Sequence, residues 1–161
     1  WSKTGQYFYT YGKSNSSKIF KVSVADFSQQ FVTEIDELHR LELTANEELI
    51  VQPRAWGPLY KLCCINDEPL VLEDANLYVD MDWIYNWNVS GEYVSLLEFE
   101  NDRQVVNFYH PDGSISEDLK LTLPEGNHVY HYSYNEETRT LFYSSMKTKH
   151  FSLLKVEQVA K

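Results

Sequence analysis

The sequence predicts an all-β chain built from about four copies of one small antiparallel sheet. Three observations predict it. A segment recurs at spacings of 42, 44 and 45 residues, with copies beginning at Trp1, Leu43, Trp87 and Tyr132. A run rich in Val, Ile, Tyr and Phe follows each copy at a similar distance. Turn-forming clusters such as His110-Pro111-Asp112-Gly113 separate these runs.

The elements follow in order. Trp1-Ser2-Lys3-Thr4-Gly5-Gln6-Tyr7 opens the first copy, and Trp87-Asn88-Val89-Ser90-Gly91-Glu92-Tyr93 repeats its Trp, small polar residue, Gly, polar residue and Tyr in register. Leu43-Thr44-Ala45-Asn46-Glu47-Glu48-Leu49 fits the same mould, and Tyr132-Ser133-Tyr134-Asn135-Glu136-Glu137 with Leu141-Phe142-Tyr143 gives a looser fourth copy. The apolar runs are Ile19–Val24, Leu59–Cys64, Val105–Tyr109 and Phe151–Val156, which begin 18, 16, 18 and 19 residues after their copies. A further strand follows in three units, at Phe31–Glu34, Pro69–Leu72 and Leu119–Leu123. Asp36–Glu42 has the composition for a turn or two of helix, but it lies where the first strand of the second unit must run, and strand is expected there.

A period of about 40 to 45 residues holding four short antiparallel strands is the signature of a β-propeller blade. One such sheet cannot cover its own two faces, so neighbours stack and bury each other's aromatics, and the repeated Trp and Tyr are expected in the core. The expected organisation is one partial propeller domain over 1–161, with blades at approximately 1–36, 37–76, 77–125 and 126–161. The first blade lacks its first strand and the last its outermost one, which predicts a portion of a larger ring, with closure of these four blades by themselves as the alternative. Exposed blade faces at the two ends predict a protein partner or self-association.

Composition bounds the function. The 161 residues are 43% hydrophobic and 15% aromatic, which is enough to fold, and no run approaches the roughly 18 apolar residues of a spanning helix. A formal charge of −10 repels phosphate backbones and anionic lipid, so no nucleic acid contact by this chain is expected. The two cysteines, Cys63 and Cys64, are adjacent, and adjacent strand residues point to opposite faces. Two separate thiols are expected, with a vicinal redox or soft-metal pair as the alternative, so the redox compartment stays open.

No catalytic motif is present: no G-x-S-x-G, H-E-x-x-H, phosphate loop or dinucleotide fingerprint. No catalytic, cofactor-binding or metal-binding residues are therefore assigned, and no cofactor is expected. His128 and His131 fall on opposite strand faces and cannot jointly bind a metal, though either could sense pH. The acidic group Glu73-Asp74-Ala75-Asn76 with Asp80 and Asp82 lacks calcium-loop spacing and reads as a solvated turn. Trp83, Tyr85 and Trp87 alternate onto one strand face, where they pack between blades or, alternatively, stack a ligand or partner. Glu98–Arg103 and Glu136–Arg139 read as charged hairpin tips, where a propeller carries specificity.

The blade motif Trp1-Ser2-Lys3-Thr4-Gly5-Gln6-Tyr7, with Ile19-Phe20-Lys21-Val22 and Phe31-Val32-Thr33 after it, resembles the TolB-type blade pattern W-S-x-D-G, I-x-x-V, L-T. Thr4 stands where that pattern has aspartate. With Leu59–Leu62, Asp82–Trp87, Val105–Tyr109, Leu141–Ser144 and Phe151–Glu157, the order of features over nearly the whole chain resembles the C-terminal half of the TolB-like propeller in CadC-type winged-helix transcriptional regulators. The resemblance implies a non-enzymatic sensory or protein-interaction domain on the periplasmic side of the inner membrane. DNA binding and membrane anchoring would then belong to an N-terminal winged helix and one transmembrane helix outside this sequence. It carries over no ligand-contacting residues, because the shared positions build blades. Two other readings fit a propeller: the gating portion of a prolyl-oligopeptidase-type peptidase, and a TolB-like envelope scaffold.

Overall fold

The computed structural model describes residues 1–12, 16–63, 71–79, 87–123, 129–145 and 151–155. Among these residues there are fourteen strands and no helix, in four antiparallel sheets whose strands pair in chain order. The first sheet is β1 (Tyr7–Tyr11), β2 (Ser16–Ser23) and β3 (Gln29–Asp36), and the second is β4 (Arg40–Leu43), β5 (Leu49–Gln52), β6 (Gly57–Cys63) and β7 (Val71–Val79). The third is β8 (Trp87–Ser90), β9 (Tyr93–Glu100), β10 (Arg103–Tyr109) and β11 (Ile115–Thr122), and the fourth is β12 (Val129–Asn135), β13 (Thr140–Ser145) and β14 (Phe151–Lys155). Two compact units, Trp1–Met81 and Asp82–Lys161, hold two sheets each.

The repeated motif builds a turn four times, and in three of the copies that turn joins two described strands of a hairpin. In each copy a residue with positive φ turns the chain: Gly5 at 69°, Glu47 at 65°, Gly91 at 61° and Arg139 at 51°. Glycine takes this conformation without a Cβ penalty, which explains its place in two copies. A Cβ added at Gly91 would also collide with the Glu136 carboxylate. A side-chain oxygen closes the turn in three copies. Tyr7 N–H donates to Ser2 Oγ at 3.2 Å, Glu48 N–H to Thr44 Oγ1 at 3.0 Å, and Thr138 N–H to Asn135 Oδ1 at 2.8 Å. The tip between β9 and β10 has Asn101 and Asp102 at φ 49° and 63°, the mirror-image turn that matches strand twist.

Of two ambiguous segments, the first follows the sequence reading and the second differs from it. Asp36–Glu42 holds no helix: β3 ends at Asp36, Glu37 turns the chain at φ 56°, and β4 begins at Arg40. The acidic group Glu73-Asp74-Ala75-Asn76 is no loop but lies inside β7 as a bulge. Leu59 pairs with Leu77 and Tyr60 with Asp74, so Ala75 and Asn76 are extra, and Asn76 at φ 54° donates its N–H to Asp74 Oδ1 at 2.8 Å. Polar residues are tolerated there because Glu73, Asp74 and Asn76 point to solvent while Ala75 and Leu77 are buried.

Each unit has a core formed where one sheet covers the next. In Trp1–Met81, Ile19, Ile35 and Leu38 pack with Val51, flanked by Tyr9, Tyr11, Leu41 and Tyr60. In Asp82–Lys161, Leu97, Val106, Phe108 and Leu121 of the third sheet meet Val129, Tyr132, Tyr134, Leu141 and Tyr143 of the fourth. The rings of Phe108 and Tyr134 sit edge to face at 5.0 Å. Polar bonds fix this second contact. Gln104 donates Nε2–H to Val129 O at 3.3 Å and accepts from Val129 N–H at 2.7 Å, while the Tyr132 hydroxyl donates to Ser95 O at 2.8 Å. Asn88 Nδ2 donates to Tyr132 O.

Candidate interaction surface

Strand register sorts the first sheet into two faces. Ile19 and its neighbours on alternate positions, Tyr9, Tyr11 and Ile35, enter the core against the second sheet. The opposite face carries Phe8, Phe20, Val22 and Phe31, with Phe8 paired to Val22 and Phe20 to Phe31 across the strands. Trp1 lies over Phe8 with ring centroids 4.9 Å apart, and Phe20 meets Phe31 edge to face at 5.8 Å. Part of this face remains open to solvent: Trp1 is 74% exposed and Phe31 54%, as is Phe27 in the β2–β3 turn at 71%, while Phe8 and Phe20 are half-buried and Val22 is buried. Scattered apolar side chains are ordinary on a surface, but a contiguous aromatic patch marks a contact site. At its border Lys18 stands opposite Glu34, and Asp36 ends the strand, giving an apolar centre with a charged rim.

The fourth sheet also has an outer face. Tyr132, Tyr134, Leu141 and Tyr143 turn inward, so the alternate positions His131, Ser133, Phe142 and Ser144 turn outward, with Phe142 50% exposed. No carboxylate occupies these four outward positions.

Among the expected site residues, Trp87 is fully buried and serves as core, while His131 is exposed on the outer face of β12. Trp83, Tyr85 and His128 lie outside the described residues, as do Cys64, Asp80 and Asp82, and the backbone of Cys63 ends β6. Trp1, expected in the core from its match to Trp87, is the most exposed large apolar side chain among the described residues. The aromatic face of the first sheet was not assigned from sequence. Its signal is present in β2, where Ile19 is followed by Phe20 and Val22, so both faces of one strand are apolar and both require cover.

A polar cluster lies on the third sheet. Asn107 Nδ2 donates to Glu98 Oε2 at 2.7 Å and Glu100 Oε1 at 3.1 Å, the Tyr109 hydroxyl donates to Glu98 at 2.8 Å, and Lys120 pairs with Glu100. Burial, then the hydrogen bond and charge of Glu98, push the Tyr109 hydroxyl well above the usual tyrosine range. The Lys120 bond holds the exposed Glu100 carboxyl below its ordinary value, helped by Asn107. The donors Asn107, Tyr109 and Lys120 satisfy the two carboxylates from within. Among the described residues no group of three or more His, Cys, Asp or Glu side chains is placed to hold a metal ion.

No family model and no curated protein matches the chain. Among solved structures it is similar to the β-propeller domain of Cps50 (Swd1) from Myceliophteria thermophila, at a TM-score of 0.56 and 16% identity, over 98% of this chain and 52% of that one. The chain thus spans about half the length of this neighbour. At that identity the likeness speaks to fold alone. With the repeated hairpin and the four meandering antiparallel sheets, it makes the fold of this chain a β-propeller fold.

Proposed function

We propose that this chain is a non-enzymatic protein-interaction portion of a β-propeller, serving as the periplasmic sensory part of a CadC-type membrane-anchored transcriptional regulator. The observation that carries the interaction role is the contiguous aromatic face of the first sheet, rimmed by Lys18, Glu34 and Asp36. The regulatory context is supported by the TolB-like blade motif at Trp1–Tyr7 and its successors. The charge of −10 also suits a domain kept apart from DNA.

The reading frame upstream of the Trp1 codon tests this directly. It is expected to encode a basic winged helix followed by about 20 apolar residues. Alkaline phosphatase fused behind this chain in the full-length protein should then be active, as it is only outside the cytoplasm. A cleavable export signal with no winged helix, a hydrolase nucleophile motif downstream, or an inactive phosphatase fusion would each overturn the regulator reading.

A further inference from the structure

We infer that the strands closing the first three sheets, β3, β7 and β11, carry a guard against edge pairing, in which a bulge joined to a pair of exposed carboxylates keeps any further strand from adding to them. The guard belongs to the backbone edge of each sheet and not to its faces. It is independent of the interaction role and of the regulatory context.

Each of these strands has a hydrogen-bonded neighbour on one side only, so the row of N–H and C=O groups along its other side is a template for a further strand. They are also long, at eight, nine and eight residues, whereas the opposite edges of the second and third sheets, β4 and β8, have four residues each and offer little to pair with. The irregularities fall on the long edges. In β3, Ile19 faces Thr33 and Phe20 faces Phe31, which leaves Val32 as an extra residue. In β7, Ala75 and Asn76 are extra, and in β11 residues 116–119 face Phe108 alone, between the pairs Asn107–Lys120 and Tyr109–Ile115. The other ladders of these sheets, β1–β2, β4–β5, β5–β6, β8–β9 and β9–β10, run without a register shift. A bulge breaks the even spacing of the edge groups and twists the strand, so a regular partner cannot run along it.

Charge follows the same edges. Glu34 and Asp36 lie on β3, Glu73 and Asp74 on β7, and Glu117 and Asp118 on β11, and all six are exposed. The remaining strands of the three sheets hold only Glu42, Glu98 and Glu100, so carboxylates gather where a strand is the last of its sheet. Pairing any two of these edges would bring like charges to within about 5 Å across the new ladder, which is destabilising. All three edges carry the same sign, so no pairing among them avoids this. Phe31, Leu72 and Ile115 are exposed on the same three strands, and without bulge and charge such strands would be segments prone to aggregate.

Thioflavin T fluorescence of the pelletable fraction reports stacked strands rather than docked faces, and it tests the guard on the 161-residue chain. Deleting Ala75 and Asn76 sets Leu77 directly after Asp74, which restores an unbroken β6–β7 ladder with Leu77 still buried and Asp74 still exposed. Glu73→Gln with Asp74→Asn removes both charges and keeps a side-chain oxygen at position 74. The variant combining the deletion with these substitutions is expected to lower the concentration at which thioflavin-positive material appears by about ten-fold or more. Glu136→Gln with Glu137→Gln takes the same two charges from the β12–β13 turn and should leave that concentration unchanged. Near-UV circular dichroism shows whether each variant is folded. If the deletion in β7 unfolds the chain, deleting Val32 together with Glu34→Gln and Asp36→Asn repeats the test on β3. A combined variant as soluble as the unaltered chain, or a turn variant that aggregates as readily as the edge variant, would overturn the inference. Neither result bears on the regulator reading, which the upstream sequence and the phosphatase fusion decide separately.

Discussion

Gln104 shows how one side chain can fix the position of a sheet. Its amide both accepts from Val129 N–H and donates to Val129 O, so a single residue on β10 satisfies both backbone groups of the first residue of β12. Gln104 and Val129 are both buried, where an unpaired backbone group costs roughly 1–3 kcal/mol. Gln104→Met keeps the volume and removes both bonds. It is expected to lower unfolding stability by roughly 2–5 kcal/mol, read from urea denaturation. A loss below about 0.5 kcal/mol would mean that water or another group satisfies Val129 instead. The role of Gln104 is not legible in the sequence, because a polar residue opening the run Gln104-Val105-Val106 reads as a solvent-facing strand start. Trp1 and Trp87 make the same point in reverse. They occupy one motif position, yet one is exposed and the other buried, because burial is decided by whether another sheet covers the position.

The strands themselves were largely legible, since β-branched and aromatic runs bounded by turn residues carry a local signal. Residues 19–23, 59–63, 105–109, 141–143 and 151–155 of these runs all lie in strands. What was not legible is irregularity. The bulge in β7 places Asp74 and Asn76 mid-strand, and their composition alone cannot distinguish a bulge with an Asx bond from a loop. The fourth hairpin turns through 136–139, later than the fourth sequence copy implied, because Asn135 closes a longer turn. At this scale β10 makes a pH prediction. The raised pKa of Tyr109 means that the folded protein holds this proton more tightly than the unfolded chain. Its contribution is complete at neutral pH and is lost as pH climbs past about 10, where the unfolded tyrosine ionises first. Tyr11, Tyr93 and Tyr134 are also raised, chiefly by burial, and add to the fall. Urea midpoints measured from pH 8 upward should decline beyond about pH 10, and Tyr109→Phe should make that decline shallower by up to about 1.4 kcal/mol per pH unit. An unchanged slope in the variant would show that burial and the Glu98 bond together do not hold the Tyr109 proton.

Charge acts on the whole molecule and gives an apolar association between copies of this chain a signature of its own. Two chains of −10 repel at long range, and the Debye length sets how far that repulsion reaches, about 30 Å at 0.01 M salt and about 8 Å at 0.15 M. A contact between copies would draw on exposed apolar side chains such as Trp1, Phe31 and Phe142, with Lys18 and Glu34 beside the Phe20–Phe31 pair. Its attraction is apolar and is not weakened by screening, whereas the repulsion that opposes it is. Self-association should therefore strengthen between 0.01 M and 0.15 M sodium chloride, with a lower dissociation constant in sedimentation equilibrium at the higher salt. A contact held by ion pairs would move the other way, because screening takes away its attraction as well. Lys18→Gln separates the two cases further. It makes the rim more negative, so it should weaken association at low salt and have little effect at 0.15 M. If association instead fell with salt and collapsed in Lys18→Gln at both concentrations, the charged rim and not the aromatic face would hold the copies together.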